Sequence, residues 1–263
     1  MDNSIGIFDS GVGGLTVFSE IRKSLPHENL IYVGDTERFP YGNKSKENII
    51  QFAKQITEFL IEKKVKMIVI ACGTATSQAL KELREIYKIP IFGIIEPTIQ
   101  NQIDSSIKKV GIIATKGTIR SNAWIDAIKA KNENIITISK ECPLLAPMAE
   151  EGWVDNEVAK FTIREYMKVF KGEDIQKLIL GCTHYPLFKK LIQEELGSNV
   201  KLVNTGEEIA KFLEVYLEEN NIKNNDSKIG KEKIYLTDVE CNFINVASIL
   251  LNRKVKVEKL MLN

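Results

Sequence analysis

The stretch Ile68-Val69-Ile70-Ala71-Cys72-Gly73-Thr74 returns later in the chain as Leu178-Ile179-Leu180-Gly181-Cys182-Thr183-His184. Each is a short apolar run closed by a small residue, a cysteine and a threonine-containing turn. A run of this length bounded by turn residues reads as a strand buried on both faces. A second pair of segments repeats upstream of the first. Ile5-Gly6-Ile7-Phe8-Asp9-Ser10-Gly11 matches Val110-Gly111-Ile112-Ile113-Ala114-Thr115-Lys116, each a strand that ends near a small hydroxyl residue and leads into a helix. From Asp9 to Cys72 is 63 positions, and from Ala114 to Cys182 is 68. Two independent matches at nearly equal spacing point to a duplicated unit.

Outward from these segments, apolar runs alternate with amphipathic ones. Candidate strands are 5–8, 30–33, 67–71, 91–94, 110–113, 135–138, 178–180, 201–203, 234–236 and 254–258. Helical stripes lie between most of them, for example Ile49, Phe52, Ala53, Ile56, Phe59 and Leu60 at i, i+3, i+4 spacing. Thr205 with Glu208 has the form of a capping box ahead of another stripe. This alternation predicts an α/β fold with mainly parallel sheets flanked by helices. With the repeat, it predicts two similar lobes related by a pseudo-twofold, with the active site in the cleft between them. The first lobe is read as 1–96 plus 207–263 and the second as 97–206. The polar stretch 220–233 reads as an exposed, mobile loop.

The composition fits this reading. The chain has 263 residues, 44% of them hydrophobic, enough to bury a substantial core. Lys plus Arg (36) balances Asp plus Glu (35), which argues against a protein built to bind nucleic acid or an anionic membrane. The run 67–72 is far shorter than the roughly 20 residues that span a bilayer. The N-terminus lacks a basic-then-apolar signal pattern, since Asp9 and the glycines interrupt it, so the expected location is cytoplasmic. Four cysteines, Cys72, Cys142, Cys182 and Cys241, form no C-x-x-C pair and are expected as thiols. No metal is expected, because Cys182 and His184 supply two ligands where a site needs three or four.

In open parallel sheets ligands bind beyond the carboxyl ends of strands. Asp9-Ser10-Gly11, Cys72-Gly73-Thr74, Ala114-Thr115 and Cys182-Thr183-His184 all sit there. Two facing lobes would put Cys72 and Cys182 on opposite walls of one cleft. One thiolate can then remove a proton from carbon while the other thiol returns one on the opposite face, inverting that carbon. A helix N-terminus just after each cysteine would lower its pKa. Cys142 and Cys241 read as small buried hydrophobes. Gly11-Val12-Gly13-Gly14-Leu15-Thr16 is neither a dinucleotide fingerprint, since Thr16 replaces the third glycine, nor a Walker A loop. Its glycines read as a tight turn that lets a small ligand approach the backbone. By itself Phe39-Pro40-Tyr41-Gly42 reads as a surface turn. His27 reads as solvent-exposed, and His184 gains weight from its place beside Cys182.

Asp9-Ser10-Gly11-Val12-Gly13-Gly14, Phe39-Pro40-Tyr41-Gly42, Ala71-Cys72-Gly73-Thr74-Ala75 and Gly181-Cys182-Thr183-His184-Tyr185-Pro186, in this order over nearly the whole chain, resemble the glutamate racemases. The resemblance implies cofactor-independent interconversion of L- and D-glutamate, with D-glutamate supplied for cell-wall peptidoglycan. It implies Cys72 and Cys182 as the acid/base pair, Asp9 assisting Cys72, and His184 and Glu150 on the side of Cys182. It implies substrate contacts from Asp9, Ser10, Tyr41, Gly42, Gly73, Thr74, Thr115, Thr118, Thr183 and His184. Family members are often homodimers. The family's usual Asn after the first cysteine is Gly73 here, which leaves a backbone N–H in place of a side-chain amide. Two other readings are a racemase of another acidic amino acid such as aspartate, and a two-lobed binding protein without turnover.

Overall fold

The apolar runs become strands because helices cover both faces of the sheets they join. The computed structural model describes residues 3–239 and 241–262, without the side chains of Cys241 and Asn242. Its strands are β1 (Ile5–Asp9), β2 (Leu30–Gly34), β3 (Met67–Ile70), β4 (Ile91–Gly93), β5 (Lys109–Ala114), β6 (Ile136–Glu141), β7 (Lys177–Leu180), β8 (Lys201–Asn204), β9 (Glu232–Leu236) and β10 (Val257–Lys259). They form two sheets, one in the order β10-β9-β2-β1-β3-β4 and one in the order β6-β5-β7-β8. Every pairing among the described residues is parallel. The order β2-β1-β3-β4 is repeated as β6-β5-β7-β8, so the duplication seen in the sequence is a duplication of topology. Ile7 of β1 lies between Tyr32 and Val69, as Ile112 of β5 lies between Ser139 and Ile179.

β1, β2 and β3 are buried at every residue. The helix Leu15–Ser24 turns Leu15, Val17, Phe18 and Ile21 onto one face of this sheet. The helix Lys46–Glu62 covers the other with Ile49, Ala53, Ile56 and Leu60, while Phe52 and Phe59 of its stripe pack at the margin. Each fully buried Val, Leu, Ile or Phe among them contributes roughly 1.5–3 kcal/mol by leaving water. The edge strand β6 is more open, with Ile136 57% exposed.

Several local expectations shift. The last strand lies at Val257–Lys259 rather than 254–258, because pairing of Val257 with Ile234 and Lys259 with Leu236 sets its register. The helix Thr205–Glu219 is capped by Asn204, not Thr205: the Asn204 side chain accepts the Gly206 N–H at 3.0 Å, and its amide donates to Glu207 at 3.2 Å. The polar stretch after this helix is exposed yet pinned. The Asn224 N–H donates to Glu28 and its side-chain amide to the His27 carbonyl, both at 2.7 Å, and the Gly230 N–H donates to the Pro26 carbonyl. His27 is half-buried against this stretch, with Nδ1 3.1 Å from the Lys228 carbonyl oxygen. Cys142 is buried in the second lobe. The buried-thiol expectation for Cys241 falls on a side chain outside the described residues. Among the described residues no helix is long and apolar enough to cross a membrane.

Candidate active site

Parallel strands deliver their carboxyl ends to one edge of a sheet, and a crevice opens where successive connections leave to opposite sides. In the first lobe the chain goes from β1 to β2 on one side and to β3 on the other; in the second it does the same around β5. Asp9 ends β1 and Ser10 follows it, Cys72 follows β3, Thr115 β5 and Cys182 β7. Cys72 and Cys182, with Ser10, Thr74, Thr115 and His184, line a single cavity between the lobes. Phe39, Pro40, Tyr41 and Gly42 complete its wall, so this segment is not the surface turn its composition suggests. Ala146 and Gly181 also line it, and nothing in their residue types marked them. The free space is about 20 Å³, room for roughly one water.

Cys72 is the N-cap of the helix Gly73–Ile86, where its sulfur accepts the Ala75 N–H at 3.4 Å and its thiol donates to Ser10 Oγ at 3.6 Å. The expected lowering of its pKa does not occur. Burial pushes the thiol up to about 12, Asp9 adds to this, and the helix N–H and Ser10 only partly offset it. Before substrate binds, this environment favours the thiol form of Cys72.

Asp9 is fully buried and accepts the Gly11 N–H at 3.1 Å and, across the cleft, the Thr183 hydroxyl at 3.2 Å. Burial lifts its carboxyl to about 6, opposed by His184 and by the N–H groups of Gly11 and Gly14. An acid raised in this way adds stability while protonated; that contribution is complete below pH 3.8 and is lost as pH rises through about 6. For Asp9→Asn, neutral throughout, the stability difference from the wild type is predicted to move in the variant's favour between pH 4 and pH 7 by an amount on the order of 3 kcal/mol. Urea unfolding at both pH values checks this; a gap that does not change with pH contradicts it.

On the opposite wall no α-helix follows Cys182. A 3₁₀ turn, Tyr185–Phe188, takes its place. His184 Nδ1 stands 3.8 Å from the Cys182 sulfur, and its Nε2 lies 2.6 Å from Glu150 Oε1. Burial disfavours the charged ring, but the bonds to Cys182 and Glu150 and their negative charges outweigh it, holding the His184 pKa well above 6.5. Cys182, His184 and Glu150 thus form a connected file, although Glu150 comes from a different helix, Leu145–Glu150.

The remaining candidates fall into two groups. Ser10, Gly42, Gly73, Thr74, Thr115 and Thr183 line the cavity. The hydroxyls of Thr74, Thr115 and Thr118 bond to one another at 2.8–3.2 Å, joining the two lobes, with Thr118 1% exposed. The Tyr41 hydroxyl is committed to Asp35, which leaves its ring and backbone to face a ligand. The glycine turn makes its clearance for the protein's own side chains rather than for a ligand. A Cβ at Gly13 would lie 2.3 Å from the His184 ring, and one at Gly14 2.4 Å from Asp9. Gly73 allows its backbone to approach the Gly181 carbonyl, where a Cβ would stand 2.3 Å from the oxygen. Among the described residues no cluster of three or more His, Cys, Asp or Glu side chains is placed to hold a metal ion.

Comparison with known proteins places the chain in a family. The family model for Asp/Glu/Hydantoin racemase matches residues 13–213. A glutamate racemase of Geobacter metallireducens is 44% identical over 96% of this chain and 94% of its own length. One from a Sulfurihydrogenibium species is 44% identical over 98% and 97%. The crystal structure of the Francisella tularensis glutamate racemase, in complex with D-glutamate, superposes with a TM-score of 0.94 at 39% identity, covering 100% of this chain and 98% of that one. With two parallel-sheet lobes and a cysteine at the strand end on each side of the cleft, this chain belongs to the glutamate racemases of the Asp/Glu/Hydantoin racemase family.

Proposed function

We propose that this protein interconverts L- and D-glutamate by a two-thiol acid/base mechanism. The observation that carries the reading is that Cys72 and Cys182, each at the end of a strand in a different lobe, line the same cavity. Glutamate would sit between them, its carboxylates met by the hydroxyls of Ser10, Thr74, Thr115 and Thr183 and by the Gly73 N–H. In the L to D direction Cys182, as thiolate, takes the α-proton. The His184 ring at 3.8 Å, itself held by Glu150, offsets negative charge on the sulfur. Cys72, kept protonated by burial and by Asp9, is the acid that delivers a proton to the other face. The D to L direction exchanges the roles. The α-carbon is a very weak acid, so the acceleration comes from placement of base and acid and from dipoles aimed at the developing carbanion. The protein acts in the cytoplasm, and its D-glutamate serves peptidoglycan synthesis.

The test is incubation with L-glutamate in D₂O without added cofactor, following optical rotation and α-deuterium together. Loss of rotation with deuterium at the α-carbon is expected. Exchange faster with aspartate than with glutamate would move the substrate to another acidic amino acid. Binding with no exchange of either would overturn the catalytic reading.

A further inference from the structure

Asp35 is fully buried one residue beyond β2 and takes no part in the chemistry above. Three side chains converge on its carboxylate. Arg38 Nε donates to both oxygens, at 2.9 and 2.7 Å. The Tyr41 hydroxyl donates to Oδ2, and Thr237 Oγ1, just past β9, donates to Oδ1 at 3.0 Å. Arg38 also donates to Gln55 at 2.6 Å and lies over the Phe52 ring at 4.1 Å, while that ring meets Tyr41 at 5.6 Å.

Arg38 and Tyr41 bracket the segment that crosses to the second lobe. The Phe39 ring stands 5.8 Å from the His184 ring. Gly42 packs so tightly that a Cβ there would lie 2.9 Å from Thr115 Cβ. Both ends of this roof over the cavity are therefore tied to one buried carboxylate, which is anchored in turn to the sheet through Thr237. A buried charge held by this many donors is expensive to disturb, and it gives its partners a defined position.

We propose that Asp35 is a positioning residue for racemisation. It holds Phe39–Gly42 across the cleft, so that Tyr41 acts on the substrate through the backbone it carries and not through its hydroxyl. This rests on the cleft being the racemase site.

The test is steady-state kinetics with L- and D-glutamate for the wild type, Asp35→Asn, Tyr41→Phe and the double variant, with melting temperatures alongside. Asp35→Asn is expected to raise KM about 10-fold and to lower kcat less, as for lost binding shared by ground and transition states. Tyr41→Phe moves KM in the same direction by a smaller factor, and the double variant is no worse than Asp35→Asn. Unchanged KM in both variants overturns the proposal, as does a lowered melting temperature with KM unchanged. Additive effects in the double variant also overturn it, since the Tyr41 hydroxyl would then act on its own. If Asp35→Asn does not fold, Tyr41→Phe decides by its KM alone. An active wild type with unchanged variants defeats this inference alone, whereas a wild type that does not racemise glutamate defeats the racemase reading as well.

Discussion

Cys72→Ala and Cys182→Ala should each lower racemisation of glutamate by about 1,000-fold, the scale of removing a positioned acid or base. Mirror-image substrates have equal free energy, so kcat/KM must fall by the same factor in both directions whichever thiol is lost. The variants differ in what survives. With Cys72 gone, Cys182 still faces the α-proton of L-glutamate and can exchange it with solvent on the same face, so deuterium enters without loss of rotation. With Cys182 gone, the same holds for D-glutamate and Cys72. Each loss removes one buried sulfur from the cleft lining, a truncation that costs about 1 kcal/mol and leaves the fold standing. Proton NMR of the α-position combined with polarimetry separates these outcomes. Full racemisation by either variant would sink the two-thiol account.

Gly13→Ala should lower kcat by about 100-fold, a loss typical of a catalytic group displaced by about 1 Å. The new methyl would lie 2.3 Å from Cε1 of His184 and 2.5 Å from both ring nitrogens. The ring has little room to yield, because Glu150 holds Nε2 at 2.6 Å and Phe39 packs 5.8 Å away. Relief comes by turning the imidazole off the Cys182 sulfur or by parting the lobes, and both spoil the file that ends at Cys182. Overpacking of this kind also costs about 1–3 kcal/mol of stability. Kinetics on a sample shown to be folded by circular dichroism is the check. A wild-type kcat would mean that the His184 contact with Cys182 is dispensable.

Much of the architecture could be read from local pattern. The central strands β1, β2, β3, β5 and β7 read as apolar runs between turn signals, because a parallel strand covered on both faces is apolar at nearly every residue, whereas the edge strands β6 and β10 carry polar, partly exposed residues. The duplication could be read because β1 with β3 and β5 with β7 keep both their apolar character and their spacing. Cys72 and Cys182 stood out for the same local reason, since each falls at the end of such a run. The cap of the helix Thr205–Glu219 was misplaced by one residue because Asn204 and Thr205 are both good capping residues and only the backbone turn chooses between them.

The chemistry of the site depended on neighbours far away in the chain. Glu150 meets His184 across 34 residues, Thr183 reaches Asp9 across 174, and Thr237 reaches Asp35 across 202. The sequence by itself determined which residues end the strands, and therefore that Ser10, Cys72, Thr115 and Cys182 reach the cleft. The tertiary structure alone decided that burial raises the Cys72 thiol and the Asp9 carboxyl, and that the Tyr41 hydroxyl faces Asp35. Strand formation follows from the periodic burial of adjacent residues, whereas a protonation state follows from desolvation and from charges brought close only when the two lobes meet.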